Sequence, residues 1–388
     1  MLSAFRSARK SLGRFLFLAF ALFAAACVPA GPTGGKRPDA GKAVQVALLV
    51  PGGSGSASDQ ILADSLVNAA RLAVADLSGA GVDLRVYQTG GDPGRAAAMA
   101  IQAADEGAEI ILGPVFAQEA NAAGVAMAGR GINVLAFSNN PQIAGGNVFV
   151  LGPTFDNTAR RLSSYAVRNG KSRILVVHER NQAGELGKDA ILRGVASAGG
   201  QVAGVSSYEF SQAGVMGAAP GIVKAARDTG ASAIFMTADT AGALPLLSQL
   251  LADNGLDRNV TKYIGLTRWD VPAQTLALPG VQGGWFALPD PNLYAQFQSR
   301  YQTAYGAAPH PIAGLAYDGI AAIGALARQG RDLSVASLTQ GSGFVGVSGI
   351  FRLRGDGTNE RGLAVAEIRN NQVVVIDPAP RNFSGPGF

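Results

Sequence analysis

The sequence predicts an α/β fold built on two parallel β-sheets. Short runs of β-branched and other apolar residues alternate with longer stretches in which apolar residues recur at helical spacing, and this alternation is typical of βαβ units. It occurs in two successive series, which indicates two sheets. The predicted strands are Val44–Val50, Leu84–Gln88, Ile110–Leu112, Val134–Phe137 and Val148–Leu151 in the first series, and Ile174–Val177, Val202–Tyr208, Ala233–Thr237 and Tyr263–Gly265 in the second.

The first strand and helix show how each element is predicted. Val44–Val50 is a continuous apolar run, as expected of a strand that helices cover on both faces. A Gly/Ser loop follows, and apolar residues then recur at helical spacing from Leu62 to Leu77, after which glycines end the helix. Residues 292–330 are predicted to be mostly helical. The last part of the chain is predicted to form antiparallel strands at Gly349–Leu353, Ala364–Arg369 and Val373–Ile376.

The composition excludes two classes of protein. Of the 388 residues, 48% are hydrophobic and 15% are charged, which excludes a disordered chain, because disorder requires little apolar content and much net charge. The formal charge is +5, and the first 14 residues carry four basic side chains and no acid, at Arg6, Arg9, Lys10 and Arg14. The rest of the chain is nearly neutral, so no nucleic-acid partner is expected.

The N-terminus has the features of a secretory signal peptide, predicted over residues 1–26. A basic start is followed by the apolar run FLFLAFALFAAA at 15–26, which ends in small residues. A membrane-spanning helix is the alternative, but it needs about 20 apolar residues, and no later segment is apolar for that long. The chain is therefore expected to be exported.

Cys27 is the only cysteine and directly follows the alanines at 24–26. This arrangement resembles a bacterial lipobox, in which the cysteine becomes the lipidated N-terminus. The alternative is an ordinary A-x-A cleavage site with an incidental cysteine, but an exported free thiol with no partner is a liability, which favours lipidation. Residues 27–43 are then the lipidated cysteine and a flexible tether, and residues 379–388 are predicted to be a disordered tail.

No motif indicates an enzyme, a metal site or a cofactor. Gly341–Gly346 matches G-x-G-x-x-G by its letters, but a dinucleotide fingerprint must follow a strand and open a helix, whereas this one precedes a predicted strand. The two histidines, His178 and His310, have no H-E-x-x-H motif or cysteine cluster beside them. The chain is therefore expected to be non-enzymatic and to carry no cofactor.

Small and polar loops follow three strands of the first series and form the candidate ligand site. In open α/β sheets, ligands bind outside the carboxyl ends of the strands, where helix N-termini offer free N–H groups. Ordinary βα turns are the alternative for any one loop, but three on one sheet indicate a cleft. The candidate ligand-binding residues are Ser54, Ser56, Gln118, Ser138 and Asn139.

Several motifs in this order resemble the type I periplasmic binding proteins, and in particular the leucine/isoleucine/valine-binding proteins. They are VALLVPGGSG from Val46, NAARLAVADL from Asn68, DPGRAA from Asp92, EIILGP from Glu109 and INVLAFSNNP from Ile132. The resemblance covers the chain from about Val44 to Asp377. It implies two Rossmann-like lobes joined by three crossovers, with a cleft between them.

The resemblance also implies lobe boundaries. The crossovers would fall near Gly152–Asp156, Gly284–Pro291 and Gly341–Gly346. Lobe 1 would then comprise residues 44–152 and 290–340, and lobe 2 residues 153–285 and 345–378.

The amino-acid-binding members hold the two charges of their ligand with polar and charged side chains that this chain lacks. Their carboxylate-binding serine corresponds to Ala117, their tyrosine to Ala183 and their ammonium-binding glutamate to Thr267. A buried zwitterion needs both charges paired, so binding of free α-amino acids is not expected.

Other stretches resemble the penicillin-binding protein activators, which are outer-membrane lipoproteins that contact a peptidoglycan synthase. They include ILGPVFAQEAN from Ile111, FVLGPTFDNTARR from Phe149 and ILVVHERNQAGELG from Ile174. This branch implies a periplasmic protein, lipid-anchored to the outer membrane, that regulates peptidoglycan synthesis. The alternative is the substrate-binding component of an ABC importer for amino acids or amides, whose partner would be an ABC permease.

Overall fold

The structure is a computed structural model that describes residues 43–77 and 81–384. Residues 1–42, which include the predicted signal peptide, Cys27 and most of the predicted tether, lie outside the described residues, as do residues 385–388. Within the described part of the chain, no helix is both long and apolar enough to cross a membrane.

The first sheet is parallel and has the strand order β2-β1-β3-β4-β5. Its strands are β1 (Val44–Val50), β2 (Val82–Gln88), β3 (Ile110–Leu112), β4 (Asn133–Ala136) and β5 (Val148–Val150). Its helices are α1 (Ala57–Asp76), α2 (Pro93–Asp105), α3 (Ala117–Ala128), and, later in the chain, α8 (Pro291–Tyr305) and α9 (Gly314–Arg328). Leu48 packs with α1 and α9 on one face of β1, and Leu49 packs with α2 and α3 on the other. The helices on both faces explain why six of the seven residues of β1 are apolar and buried.

The second sheet has seven strands in the order β15-β14-β10-β9-β8-β6-β7. They are β6 (Arg173–Glu179), β7 (Gln201–Tyr208), β8 (Ala233–Met236), β9 (Lys262–Gly265), β10 (Trp285–Leu288), β14 (Ala364–Arg369) and β15 (Gln372–Asp377). Its helices are α4 (Phe155–Arg168), α5 (Gln182–Ser197), α6 (Gln212–Asp228) and α7 (Leu244–Asp253). Strands β6 to β10 are parallel, and β14 and β15 are antiparallel as predicted. β10 is not among the predicted strands, because it lies wholly within the segment predicted to be the second crossover, Gly284–Pro291.

A third sheet of short antiparallel strands joins β11 (Phe344–Gly346), β12 (Gly349–Leu353) and β13 (Asn359–Arg361). Phe344 and Phe351 lie in the core of the first lobe, whereas Leu363 lies in that of the second. The structure therefore differs from the predicted third crossover at Gly341–Gly346 and from the assignment of all of 345–378 to lobe 2. The chain crosses after β13, because the aromatic side chains of β11 and β12 are buried against the first lobe.

The C-terminal segment that the structure describes packs on the body. Ala379 is buried in a core cluster of the second lobe, and the ring of Phe383 lies 4.5 Å from the guanidinium carbon of Arg352. The structure therefore differs from the predicted disordered tail over residues 379–384. The remaining described elements are a four-residue helix, α10 (Val335–Leu338), and 3-10 helices at Pro141–Ile143, Ala273–Ala277 and Pro279–Val281.

Candidate ligand site

The carboxyl edge of the first sheet forms one side of the candidate site. β1, β3 and β4 are neighbouring parallel strands, so the loops that follow them lie side by side along this edge. Gly113 ends β3 with a left-handed φ of 88°, and a Cβ atom there would overlap the carbonyl oxygen of Leu49. Glycine is therefore required for the chain to turn this close to β1.

Ser54 and Ser56 lie together in the loop after β1, and both contribute to the start of α1. The Ser54 hydroxyl donates to the Asp59 carboxylate at 2.8 Å. Ser56 is the N-cap of α1, where its hydroxyl oxygen accepts from the Asp59 backbone N–H at 3.4 Å. A ligand at this loop would therefore meet hydroxyl groups that are already held in place by the helix start.

Ser138 and Asn139 lie together after β4, and Gln118 lies after β3 in the first turn of α3. Ser138 is 6% exposed, and its hydroxyl oxygen accepts from the Asn140 backbone N–H at 3.1 Å. The side chains of Asn139 and Gln118 are exposed. The Phe137 backbone N–H donates to the Pro114 carbonyl oxygen at 2.9 Å, which joins the loop after β4 to the loop after β3. The parallel order of β1, β3 and β4 brings the five predicted residues to the same edge.

Glu119 is a buried carboxyl group at this edge that the sequence analysis misses. It is the third residue of α3 and is 0% exposed, and neither of its carboxyl oxygens has a hydrogen-bond partner among the described residues. The hydroxyl of neighbouring Thr89 donates to the Val50 carbonyl oxygen at 3.1 Å. It therefore has no proton left to donate to Glu119 and can only accept a hydrogen bond from it. Burial raises the pKa of Glu119, and the nearby charges of Asp59 and Asp92 act in the same direction.

The carboxyl edge of the second sheet forms the opposite side of the site. The Glu179 backbone N–H donates to the Thr237 hydroxyl oxygen at 3.3 Å, which joins the ends of β6 and β8. Burial raises the pKa of Glu179, and the charge of Asp239 adds to this effect. Thr267, which follows β9, has a buried hydroxyl oxygen with no hydrogen-bond partner in the described structure. Within that structure no group of His, Cys, Asp and Glu side chains is arranged to hold a metal ion.

Arg268 forms an ion pair with Asp270 at the edge of the second sheet. Its Nε donates to Asp270 Oδ1 at 2.7 Å, and a second guanidinium nitrogen bonds the other carboxylate oxygen. Its charge also acts on Tyr294 of α8, in the first lobe: burial raises the pKa of Tyr294, and Arg268 partly offsets that rise. Arg268 and Asp270 are not among the predicted site residues, although their place shortly after the apolar run of β9 is a usable signal.

The crossings between the lobes are joined by a buried polar network. Arg361, 5% exposed, donates through Nε to the Leu151 carbonyl at 3.0 Å and through Nη1 to Asp318 at 3.1 Å. Asp318, 0% exposed, also accepts from the Val347 backbone N–H at 2.8 Å. Asn359 donates to the Gly152 carbonyl at 2.9 Å. The first and third crossings are thus held together beside α9.

Two α/β lobes with facing polar edges and a shared set of crossings define the type I binding-protein fold. The model of the periplasmic binding protein family matches residues 43–372. The chain belongs to this family, as its sequence resemblance predicts. Membership implies a periplasmic location. No curated protein sequence matches the chain significantly.

Solved structures with the same fold cover most of the chain. A protein described as part of a branched-chain amino acid ABC transporter of Rhodospirillum rubrum has a TM-score of 0.73 and 19% identity, over 86% of this chain and 100% of that one. A branched-chain amino acid ABC transporter ligand-binding protein of Burkholderia xenovorans has a TM-score of 0.67 and 19% identity, over 86% and 96%. An ABC transporter substrate-binding protein of Desulfitobacterium hafniense, in complex with Leu, has a TM-score of 0.62 and 17% identity, over 86% and 100%.

Proposed function

We propose that this chain is a periplasmic solute-binding protein that encloses one small molecule between its two lobes. The observation that carries the proposal is the pair of polar edges at the carboxyl ends of the two sheets, one in each lobe. Ser138 and Asn139 supply hydrogen-bonding groups from the first lobe, and Thr267 supplies an unpartnered hydroxyl oxygen from the second. The structural similarity to ABC transporter binding proteins supports the same function.

The ligand is a neutral polar molecule, such as an amide, rather than a free amino acid. Ala117 and Ala183 occupy first-turn positions of α3 and α5 and carry no polar group, and Thr267 carries no charge. Arg268 is the cation that acts across the site, and Asp270 already neutralises it. A zwitterion would therefore leave at least one charge unpaired, at a cost of several kcal/mol. In this proposal the protein carries a lipid anchor at Cys27 and delivers its ligand to an ABC permease.

A second candidate function is regulation of peptidoglycan synthesis by contact with a penicillin-binding protein. The same lack of charged anchors favours it, since a regulator needs no ligand in the cleft. The motifs shared with the penicillin-binding protein activators, and an anchor in the outer membrane through Cys27, support this candidate. In that case the partner is a peptidoglycan synthase rather than a permease.

A ligand screen by thermal unfolding separates the two. A ligand that binds only the folded state stabilises it by about 2.7 kcal/mol at a hundredfold excess over Kd, which raises the Tm by several degrees for a protein of this size. We expect no shift with the common amino acids at millimolar concentration and a shift with at least one neutral amide. The double variant Ser138→Ala/Asn139→Ala should abolish that shift. The control variant Ser164→Ala/Asn169→Ala, at the far end of α4, should retain it.

Three results of this screen would contradict the proposed ligand class, the proposed site or the proposed function. A clear shift with leucine, isoleucine or valine contradicts the proposed ligand class. An unchanged shift in the Ser138/Asn139 variant shows that the ligand binds at other loops. If no solute shifts the Tm and the purified protein binds a peptidoglycan synthase directly, the regulatory candidate replaces the solute receptor.

A further inference from the structure

A pocket of about 500 Å³ lies on the first lobe, at the opposite end of the sheet from the ligand site. α1 starts beside the carboxyl end of β1 and ends at Asp76, so its last turn lies at the amino edge of the sheet. That last turn lines the pocket together with the last turn of α9, the start of β11 and the segment 381–382. The pocket is therefore separate from the cleft, and the proposed function does not use it.

Two arginines of this pocket have no partner. Among the Arg and Lys side chains of residues 43–77 and 81–384, four make no hydrogen bond or ion pair: Arg71, Arg95, Arg328 and Arg381. Arg328 and Arg381 both line the pocket. Asp76, an acidic residue of the pocket lining, accepts hydrogen bonds from Arg300 and from the Tyr317 hydroxyl. Its charge is therefore paired with that of Arg300 and does not neutralise Arg328 and Arg381. The pocket consequently carries uncompensated positive charge.

The rest of the lining supplies neutral hydrogen-bonding groups and an apolar wall. Ser342 and Asn382 offer a hydroxyl and an amide, and Ala321 and Ala325 form part of the wall. Val345 is 67% exposed at the same place. Guanidinium groups bind phosphate oxygens through paired N–H donors. An exposed aliphatic side chain beside them suits a phosphate that carries an apolar group.

We propose that this pocket binds a phosphate group through Arg328 and Arg381. The position of the pocket favours a lipid head group as the source of that phosphate. The Val44 backbone N–H donates to the Gly81 carbonyl at 2.7 Å, so β1 begins at the same edge of the sheet. Residue 43, the first described residue, lies at this edge, and the length of residues 28–42 limits its distance from Cys27 to about 50 Å. A lipidated Cys27 would keep the pocket within reach of the membrane surface.

The test uses the full chain with Cys27→Ser, so that any binding to vesicles is independent of a covalent lipid. Binding is measured with inorganic phosphate, with vesicles containing phosphatidylglycerol, and with vesicles of phosphatidylcholine alone. The test variant is Arg328→Gln/Arg381→Gln. The control, Arg71→Gln/Arg95→Gln, removes the same charge from the other two unpartnered arginines. Thermal unfolding of each variant checks that the fold is intact.

We expect the test variant to bind phosphatidylglycerol vesicles about 30-fold more weakly, since each basic side chain near an anionic surface contributes about fivefold. The control variant should bind within about twofold of the parent. If inorganic phosphate competes with the phosphatidylglycerol vesicles for binding, the lipid head group is the source of the phosphate that the pocket binds. Binding of inorganic phosphate without vesicle binding identifies free phosphate and overturns the lipid source. Equal losses in the two variants, or no binding of either probe, overturns the site itself.

Discussion

The buried pair between Asp318 and Arg361 gives the sharpest test of how the crossings are held. We consider Asp318→Asn, which removes the charge but keeps an oxygen that can still accept from the Val347 N–H. Both members of the pair are almost completely buried, and their atoms are 3.1 Å apart. Removing one partner of such a pair leaves a buried charge without compensation, which costs about 3–5 kcal/mol.

This loss is large enough to measure by calorimetry. The unfolding entropy is about 2.1 cal/mol/K per residue, so a body of about 340 residues loses roughly 4–7 °C in Tm. The matched control is Asp228→Asn. It breaks the exposed ion pair between Lys224 and Asp228 on α6, which is expected to contribute no more than about 0.5 kcal/mol.

A double-mutant cycle decides whether the two groups interact. Asp318→Asn, Arg361→Gln and the double variant are compared by urea unfolding. The double variant should be destabilised by clearly less than the sum of the two single variants, because it leaves no lone charge in the crossing. Additive losses, or a loss for Asp318→Asn no larger than that of Asp228→Asn, would refute the reasoning.

Two further predictions concern other parts of the chain. Burial raises the pKa of Glu119 above its ordinary value of about 4.5, so the folded state holds its proton more tightly and stability falls as pH rises through the folded-state pKa. Glu119→Gln should remove this fall. If the free energy of unfolding depends on pH in the same way in the variant and in the parent, the prediction is wrong. Cys27→Ser should release the protein from membranes or leave it unprocessed. Fractionation of the variant with membranes, as for the processed parent, would show that Cys27 carries no lipid.

The sequence alone predicts most of the secondary structure and the family, because both depend on local patterns. β1 is recognisable as a strand covered on both faces, since six of its seven residues are apolar, Gln45 being the exception. The loops after β1, β3 and β4 are recognisable as one edge, since parallel neighbours end on the same side. The strand β10 escapes prediction, because its four residues fall within the segment assigned to the second crossover.

The tertiary structure decides which distant residues meet, and with them the lobe boundary and much of the site. Asp318 and Arg361 are 43 residues apart, and the sequence around either residue gives no sign that the two side chains meet. The same is true of Glu119, whose burial depends on Thr89 and the packing of α3, and of Arg268, which acts on Tyr294 of the other lobe. Helical and strand periods are properties of adjacent residues. The desolvation and pairing of a charge depend instead on which elements pack around it, and only the folded chain determines that.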